Sequence, residues 1–199
     1  MSTYHETDKN LLKASISGAV EMLSKLEAIQ HDLSIAADFC AEALRSGGTV
    51  FYCGNGGSAA ESQHLATEFV VRLSSARNRK ALPAIALTTD TSLLTACAND
   101  FGFDRVFARQ VEAHLRKGDV LILLSTSGKS PNLIEAAKAA RAQSGRTIGF
   151  LGADKTPLDS LLDCAIHVPS HSSQHVQEAH LQLGHLMVEM VENRLLTSN

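Results

Sequence analysis

The sequence predicts an α/β fold: a three-layer α/β/α sandwich with a central parallel sheet, preceded by an N-terminal helical extension. Three observations carry this expectation. From about residue 49 onward, short apolar runs alternate with helical stretches, the pattern of βα units that build a parallel sheet covered on both faces. The connections are short and none is low-complexity. A chain of 199 residues with 44% apolar content is long enough for one well-buried core and short for two.

The elements follow in order. Leu12, Ile16, Val20, Leu23 and Leu26 fall near helical spacing, and a second helix runs over about 32–44 through Ile35, Ala36, Phe39, Cys40 and Ala43. Gly47-Gly48 ends it. The alternation then gives strand 49–53, helix 58–73, strand 84–88, helical segments near 91–98 and 104–115, strand 119–124, helix 131–143, and strands 146–151 and 164–168. A long helix over about 172–196 closes the chain. The leading helical pair stands outside the alternation and must still bury its apolar stripe, for which packing against another subunit is one solution.

Two strand-to-helix loops carry the chemistry. In Cys53-Gly54-Asn55-Gly56-Gly57-Ser58 a buried strand runs into a glycine-rich turn, with Ser58 placed to cap the next helix and backbone N–H groups facing an anion. The loop has neither the GxGxxG fingerprint nor a lysine after the glycines. In Ser125-Thr126-Ser127-Gly128-Lys129-Ser130-Pro131 four hydroxyls fall within six residues, ahead of a helix that Pro131 can open. Ser and Thr here can bond phosphate oxygens while the helix N-terminus supplies N–H donors. Either loop alone reads as caps and turn formers. Two in one α/β chain favour a ligand, because parallel sheets bind at the carboxyl ends of their strands.

One turn beyond the first loop, the i,i+4 spacing places His64 and Glu68 on one helix face, as two ligands of a divalent metal or a ligand and a base require. The closing helix carries Gln177, His180 and His185. At about 100° per residue, His180 and His185 diverge by about 140°, whereas Gln177 and His185 lie about 80° apart and can share a site. His180 therefore reads as structural or interfacial. Gly184 beside His185 permits close approach of another segment.

Composition excludes other classes. A net charge of −3 with no basic block, no Trp, two Tyr and seven Phe argue against a nucleic-acid surface. The polar, mixed-charge amino terminus matches no secretory signal, and no segment is apolar enough to span a bilayer, so the expected location is cytoplasmic. Cys40, Cys53, Cys97 and Cys164 form no CxxC pair and fit reduced, buried thiols. The expected partner is a small molecule. Among the remaining residues, Asp90 reads first as a helix cap, and His114, His167 and His171 as surface positions.

The segments CGNGGSAAESQHLATE, ALPAIALTTDTSLLTACANDFGFDRVFARQVEA, GDVLILLSTSGKSPN and VQEAHLQLGH resemble the phosphoheptose isomerases of the sugar isomerase (SIS) domain superfamily, in order and spacing over nearly the whole chain. The resemblance implies a single SIS domain over 1–199, with 1–47 forming helices at the centre of a homotetramer whose active sites are built from neighbouring subunits. It implies conversion of sedoheptulose 7-phosphate to D-glycero-D-manno-heptose 7-phosphate through an enediol, an early step towards the heptose of bacterial lipopolysaccharide. It makes Glu68 and His185 the catalytic acid/base pair. His64, Glu68, Gln177 and His185 become the zinc ligands where members are metallated. Ser125, Thr126, Ser127 and Ser130 would hold the phosphate, and Asn55, Gly56, Ser58, Arg72, Asp100 and Gln177 would line the sugar site.

A sister group of the superfamily binds the bacterial replication initiator without known isomerase chemistry, and is the alternative. Its members usually lack the glutamate and histidine that stand here as Glu68 and His185, and often carry arginine where this chain has Ser127. Three positions depart from the family pattern: Gln174 stands where an acidic residue sometimes occurs, His175 where arginine is common, and Lys129 where asparagine is expected.

Overall fold

The computed structural model describes residues 5–196, so the first four residues of the expected 1–47 extension lie outside the described residues. The helices are α1 (Glu6–Ser24), α2 (Gln30–Arg45), α3 (Gly57–Val70), α4 (Thr91–Phe101), α5 (Ala108–His114), α6 (Pro131–Ala142) and α7 (Ser173–Leu196). The strands are β1 (Val50–Gly54), β2 (Ala84–Ala86), β3 (Val120–Ser125), β4 (Arg146–Leu151) and β5 (Cys164–His167). They form one parallel sheet in the order β2-β1-β3-β4-β5.

Every residue of β1 and β3 is buried, which requires cover on both faces. Alternation along the strands sorts the core into two halves. Val50, Tyr52, Ile122, Leu124, Ile148 and Phe150 pack towards α2, α3 and α7, while Phe51, Cys53, Leu121 and Leu123 pack towards α5 and α6. The expected three layers are present. All four cysteines are free and buried, and burial pushes the Cys40 thiol up to about 12.

Local chemistry accounts for the departures from the expected boundaries. The helix expected over 104–115 is shorter: Gly102 at φ +89° ends α4, Phe103–Arg105 forms one 3-10 turn, and α5 spans only Ala108–His114. Asp90 caps α4 as expected, its Oδ1 accepting the Leu93 N–H at 2.9 Å. Ser58 does not cap α3. Gly56, at φ +57° and ψ −120°, makes the turn itself, so the helix begins at Gly57 and Ser58 falls inside its first turn.

His167 is not a surface residue. Its Nδ1–H donates to the Gly152 carbonyl at 2.8 Å and its Nε2 meets Asp159 Oδ1 at 2.7 Å, beneath the 3-10 turn Pro157–Leu161. The same carboxylate accepts from the Thr156 N–H and hydroxyl, and Thr156 packs against Gly128 of the serine-rich loop.

On α1, Leu12, Ile16 and Val20 remain 55–60% exposed while Met22 is buried. Among the described residues no helix is long and apolar enough to cross a membrane.

Candidate active site

The strand order places a topological switch between β1 and β3. The chain leaves β1 towards β2 on one side and returns to β3 on the other, so the loops after these two strands open side by side at their carboxyl ends. A reciprocal amide pair locks them together. Asn55 Nδ2 donates to Asn132 Oδ1 at 2.9 Å, and Asn132 Nδ2 donates to Asn55 Oδ1 at 2.8 Å. Asn132, in the first turn of α6, is buried and was not read as a site residue from sequence.

Between the loops lies a cavity of about 80 Å³ lined by Asn55, Ser58, Ser125, Thr126, Ser127, Ser130 and Gln177, with Leu124 and Leu133 at its apolar side. Ser125 Oγ accepts the Gly128 N–H at 3.0 Å and so shapes the loop, while its own proton stays available to a ligand. Gly128 sits at φ +59°, a conformation other side chains rarely adopt. Ser130 is the N-cap position of α6 but makes no side-chain cap bond, and Pro131 opens the helix as expected. A small hydroxyl-lined cavity at a helix N-terminus suits a phosphate group.

The second cluster joins α3 to α7. His64 Nε2 lies 2.7 Å from His185 Nε2 and 3.4 Å from Glu68 Oε1, with the two rings edge to face. Two ring nitrogens at that distance require one to donate and the other to accept. One ligand atom from each of His64, Glu68 and His185 lies within 4.8 Å of the others. Two imidazole nitrogens and a carboxylate oxygen are donors that zinc takes, so the residues fit that metal. Glu68 is mostly enclosed, its side chain 15% exposed against 44% for His64.

Two glycines set how closely α7 approaches. A Cβ on Gly184 would stand 2.5 Å from Leu65 Cδ2, so the glycine lets α7 press onto α3 beside His185. A Cβ on Gly57 would stand 2.6 Å from Gln177 Nε2, so the Gln177 amide rests over the first residue of α3, on the cavity wall. His180 points elsewhere, as its helical angle requires. It is fully buried, its Nε2–H donates to the Leu151 carbonyl at 3.3 Å, and its ring stands edge-on to Phe150. Burial pushes its pKa down to about 4, and its Nδ1 has no partner, so it is a neutral core residue.

Arg72 and Asp100 join neither cluster. Arg72 is exposed two residues past the end of α3, and Asp100 is exposed near the end of α4, accepting from Asn99 Nδ2 at 2.8 Å. Gly56 shapes the first loop and lies exposed.

Glu61 belongs to this region and was also missed. It lies on α3 one turn before His64, and one carboxylate oxygen, Oε2, is buried without a partner. Burial raises its pKa to about 7, partly offset by a hydrogen bond from Ser58. Because the folded-state value exceeds the unfolded one, the carboxyl favours folding below about pH 4.5, and that contribution is lost as pH rises through 7. Glu61→Gln should therefore match the parent in thermal melts near pH 5 and melt higher than the parent at pH 8. An equal difference at both pH values would show that Glu61 is not a buried acid.

A parallel sheet with a hydroxyl-lined cavity and an imidazole–carboxylate cluster at the carboxyl ends of its strands is the arrangement of an α/β ligand-binding domain, and the family model for the SIS domain matches residues 16–152. The chain is 50% identical over 164 residues to the phosphoheptose isomerase of Chlorobaculum parvum, covering 82% of this chain and 78% of that protein. It is 46% identical over 181 residues to the phosphoheptose isomerase of Roseiflexus sp., covering 90% and 91%. Among solved structures it resembles a phosphoheptose isomerase from Neisseria gonorrhoeae, with a TM-score of 0.86 and 37% identity over 92% of this chain and 98% of that one. The chain belongs to the phosphoheptose isomerases, enzymes of the SIS-domain superfamily.

Proposed function

We propose that the chain converts sedoheptulose 7-phosphate to D-glycero-D-manno-heptose 7-phosphate in the cytoplasm, supplying heptose for lipopolysaccharide. The observation that carries this reading is the convergence of Glu68 and His185, from separate helices, on the edge of the sheet that also opens the hydroxyl-lined cavity. Ser125, Thr126, Ser127 and Ser130 hold the phosphate, and Asn55, Ser58 and Gln177 orient the chain of the sugar. Glu68 takes the proton from C1, whose bonding pair becomes the C1=C2 double bond as the C2 carbonyl oxygen gains a proton. Glu68 then returns the proton to C2, while His185, having given O2 its proton in the first step, takes the hydroxyl proton from O1 and is restored, leaving an aldehyde at C1. Nothing is oxidised overall.

His64, Glu68, Gln177 and His185 would hold zinc, one ion per subunit. When bound, zinc supplies a Lewis acid for the sugar oxygens. The test is a mass-resolved assay of the purified protein with sedoheptulose 7-phosphate, run with added zinc and again after chelation. Aldose product with zinc supports the isomerase; loss on chelation with recovery on zinc supports the metal. No product from folded protein under either condition would turn the reading to initiator binding.

The assembly proposed is a homotetramer with α1 at its centre. The open stripe of Leu12, Ile16 and Val20 supports it, since α1 leaves these side chains uncovered in one protomer. Arg72 and Asp100, which join neither cluster in one protomer, would reach the sugar site from a neighbouring subunit. Replacing Ile16 and Val20 together by Glu should convert the assembly to smaller species by light scattering, and an unchanged mass would remove α1 from the interface. No nucleic-acid or membrane partner is proposed.

A further inference from the structure

Arg79 lies in the loop between α3 and β2, and its side chain is only 5% exposed. Its guanidinium makes four hydrogen bonds, all to named acceptors. Nη2 donates to the Glu68 carbonyl at 2.7 Å, and Nη1 donates to the Phe69 carbonyl at 2.8 Å and the Lys80 carbonyl at 3.0 Å. Nε donates to Glu192 Oε1 at 2.6 Å.

The Glu68 and Phe69 carbonyls belong to the last turn of α3, where no intrahelical N–H remains to satisfy them. A cation there also complements the negative end of the helix dipole. Glu192 is on α7 and fully buried, and its other oxygen lies 3.7 Å from Arg77. It stands seven residues after His185, so by helical geometry the two share a face to within about 20°. One guanidinium therefore joins the backbone of Glu68 to the helix face that presents His185.

We propose that the Arg79–Glu192 pair is a positioning clamp that fixes the backbone of the catalytic carboxylate on α3 relative to the catalytic histidine on α7. Gly184 against Leu65 sets how close the two helices come; the clamp sets where along α7 the end of α3 is pinned. A proton shuttle depends on such placement, because displacing a reacting group by about 1 Å costs up to about a hundredfold in rate. The guanidinium fork is specific for this task. A lysine in its place keeps the charge and cannot reach both carbonyls and the carboxylate together.

The inference rests on Glu68 and His185 being the acid/base pair, so Glu68→Gln is measured alongside. Arg79→Lys is expected to lower kcat about tenfold or more while KM for the sugar phosphate stays within about twofold, because the phosphate cavity is not disturbed. Glu192→Gln, which keeps an acceptor for Nε, should shift kcat in the same direction by less. Arg77→Ala is the control. It removes the neighbouring contacts to Glu189 and Asn193 on α7 and the 3.7 Å ion pair with Glu192 Oε2 while leaving all four Arg79 hydrogen bonds in place, and should lower the melting temperature with kcat unchanged. Millimolar guanidinium should restore part of kcat to Arg79→Ala.

Wild-type kcat in Arg79→Lys, or an equal loss in Arg77→Ala, would overturn the clamp. Should Arg79→Lys not fold, Glu192→Gln decides: a fall in kcat with KM unchanged upholds the clamp, and parental kcat overturns it. Activity retained in Glu68→Gln would instead remove the acid/base reading, whereas an inactive Glu68→Gln beside a fully active Arg79→Lys would sink the clamp alone.

Discussion

Glu68→Gln is expected to lower kcat about a thousandfold with fold and assembly intact, since a general base contributes two to four orders of magnitude and the amide keeps the shape while losing the basicity. The side chain is mostly enclosed on an otherwise regular stretch of α3, and the backbone bonds that hold it come from Arg79 and do not depend on the carboxylate. The melting temperature should therefore stay near the parent value. Two readouts separate the base from a metal ligand. Zinc content reports whether the ion is held, and saturating zinc should not restore turnover if the missing function is proton transfer. Retention of more than a few per cent of parental activity would remove Glu68 from the proton-transfer role. Full recovery on adding zinc would leave it as a ligand only.

Sequence pattern carried the fold because the determinants were local. Buried apolar strands between amphipathic helices define a covered parallel sheet whatever the order of its strands. At two boundaries a glycine set the outcome. Gly102 ended α4 after Phe101 and Gly56 started α3 a residue early, since positive-φ geometry is a backbone property that apolar periodicity does not register.

The site was legible to the same extent. His64 and Glu68 sit on one face because the helix alone dictates it, and the divergence of His180 from His185 followed from an angle. The meeting of His185 with His64 spans 121 residues and no local rule contains it. Asn132 and Arg79 were missed for the same reason, as their partners are distant in sequence. Glu61 had a local signal, lying three and seven residues before His64 and Glu68, but burial of its carboxyl oxygen is a tertiary fact.

Gly57→Ala should lower kcat/KM about a hundredfold while leaving the protein as stable as the parent or slightly more so. The nearest atoms to a Cβ at this position are those of the Gln177 amide, at 2.6 Å from Nε2 and 2.9 Å from Oε1. That group is the far end of a flexible side chain, so it swings away at little cost, and alanine at the start of α3 restricts the unfolded chain more than glycine does. Stability is preserved because the amide moves. Function suffers for the same reason, since the amide leaves the wall of the hydroxyl-lined cavity, where it is proposed to orient the sugar and to complete the ligand set. A double-mutant cycle tests the cause directly. Once Gln177→Ala has removed the amide, adding Gly57→Ala has nothing left to displace and should cost no further activity. If the two losses instead add, the glycine acts through the backbone of the loop and the contact with Gln177 is incidental.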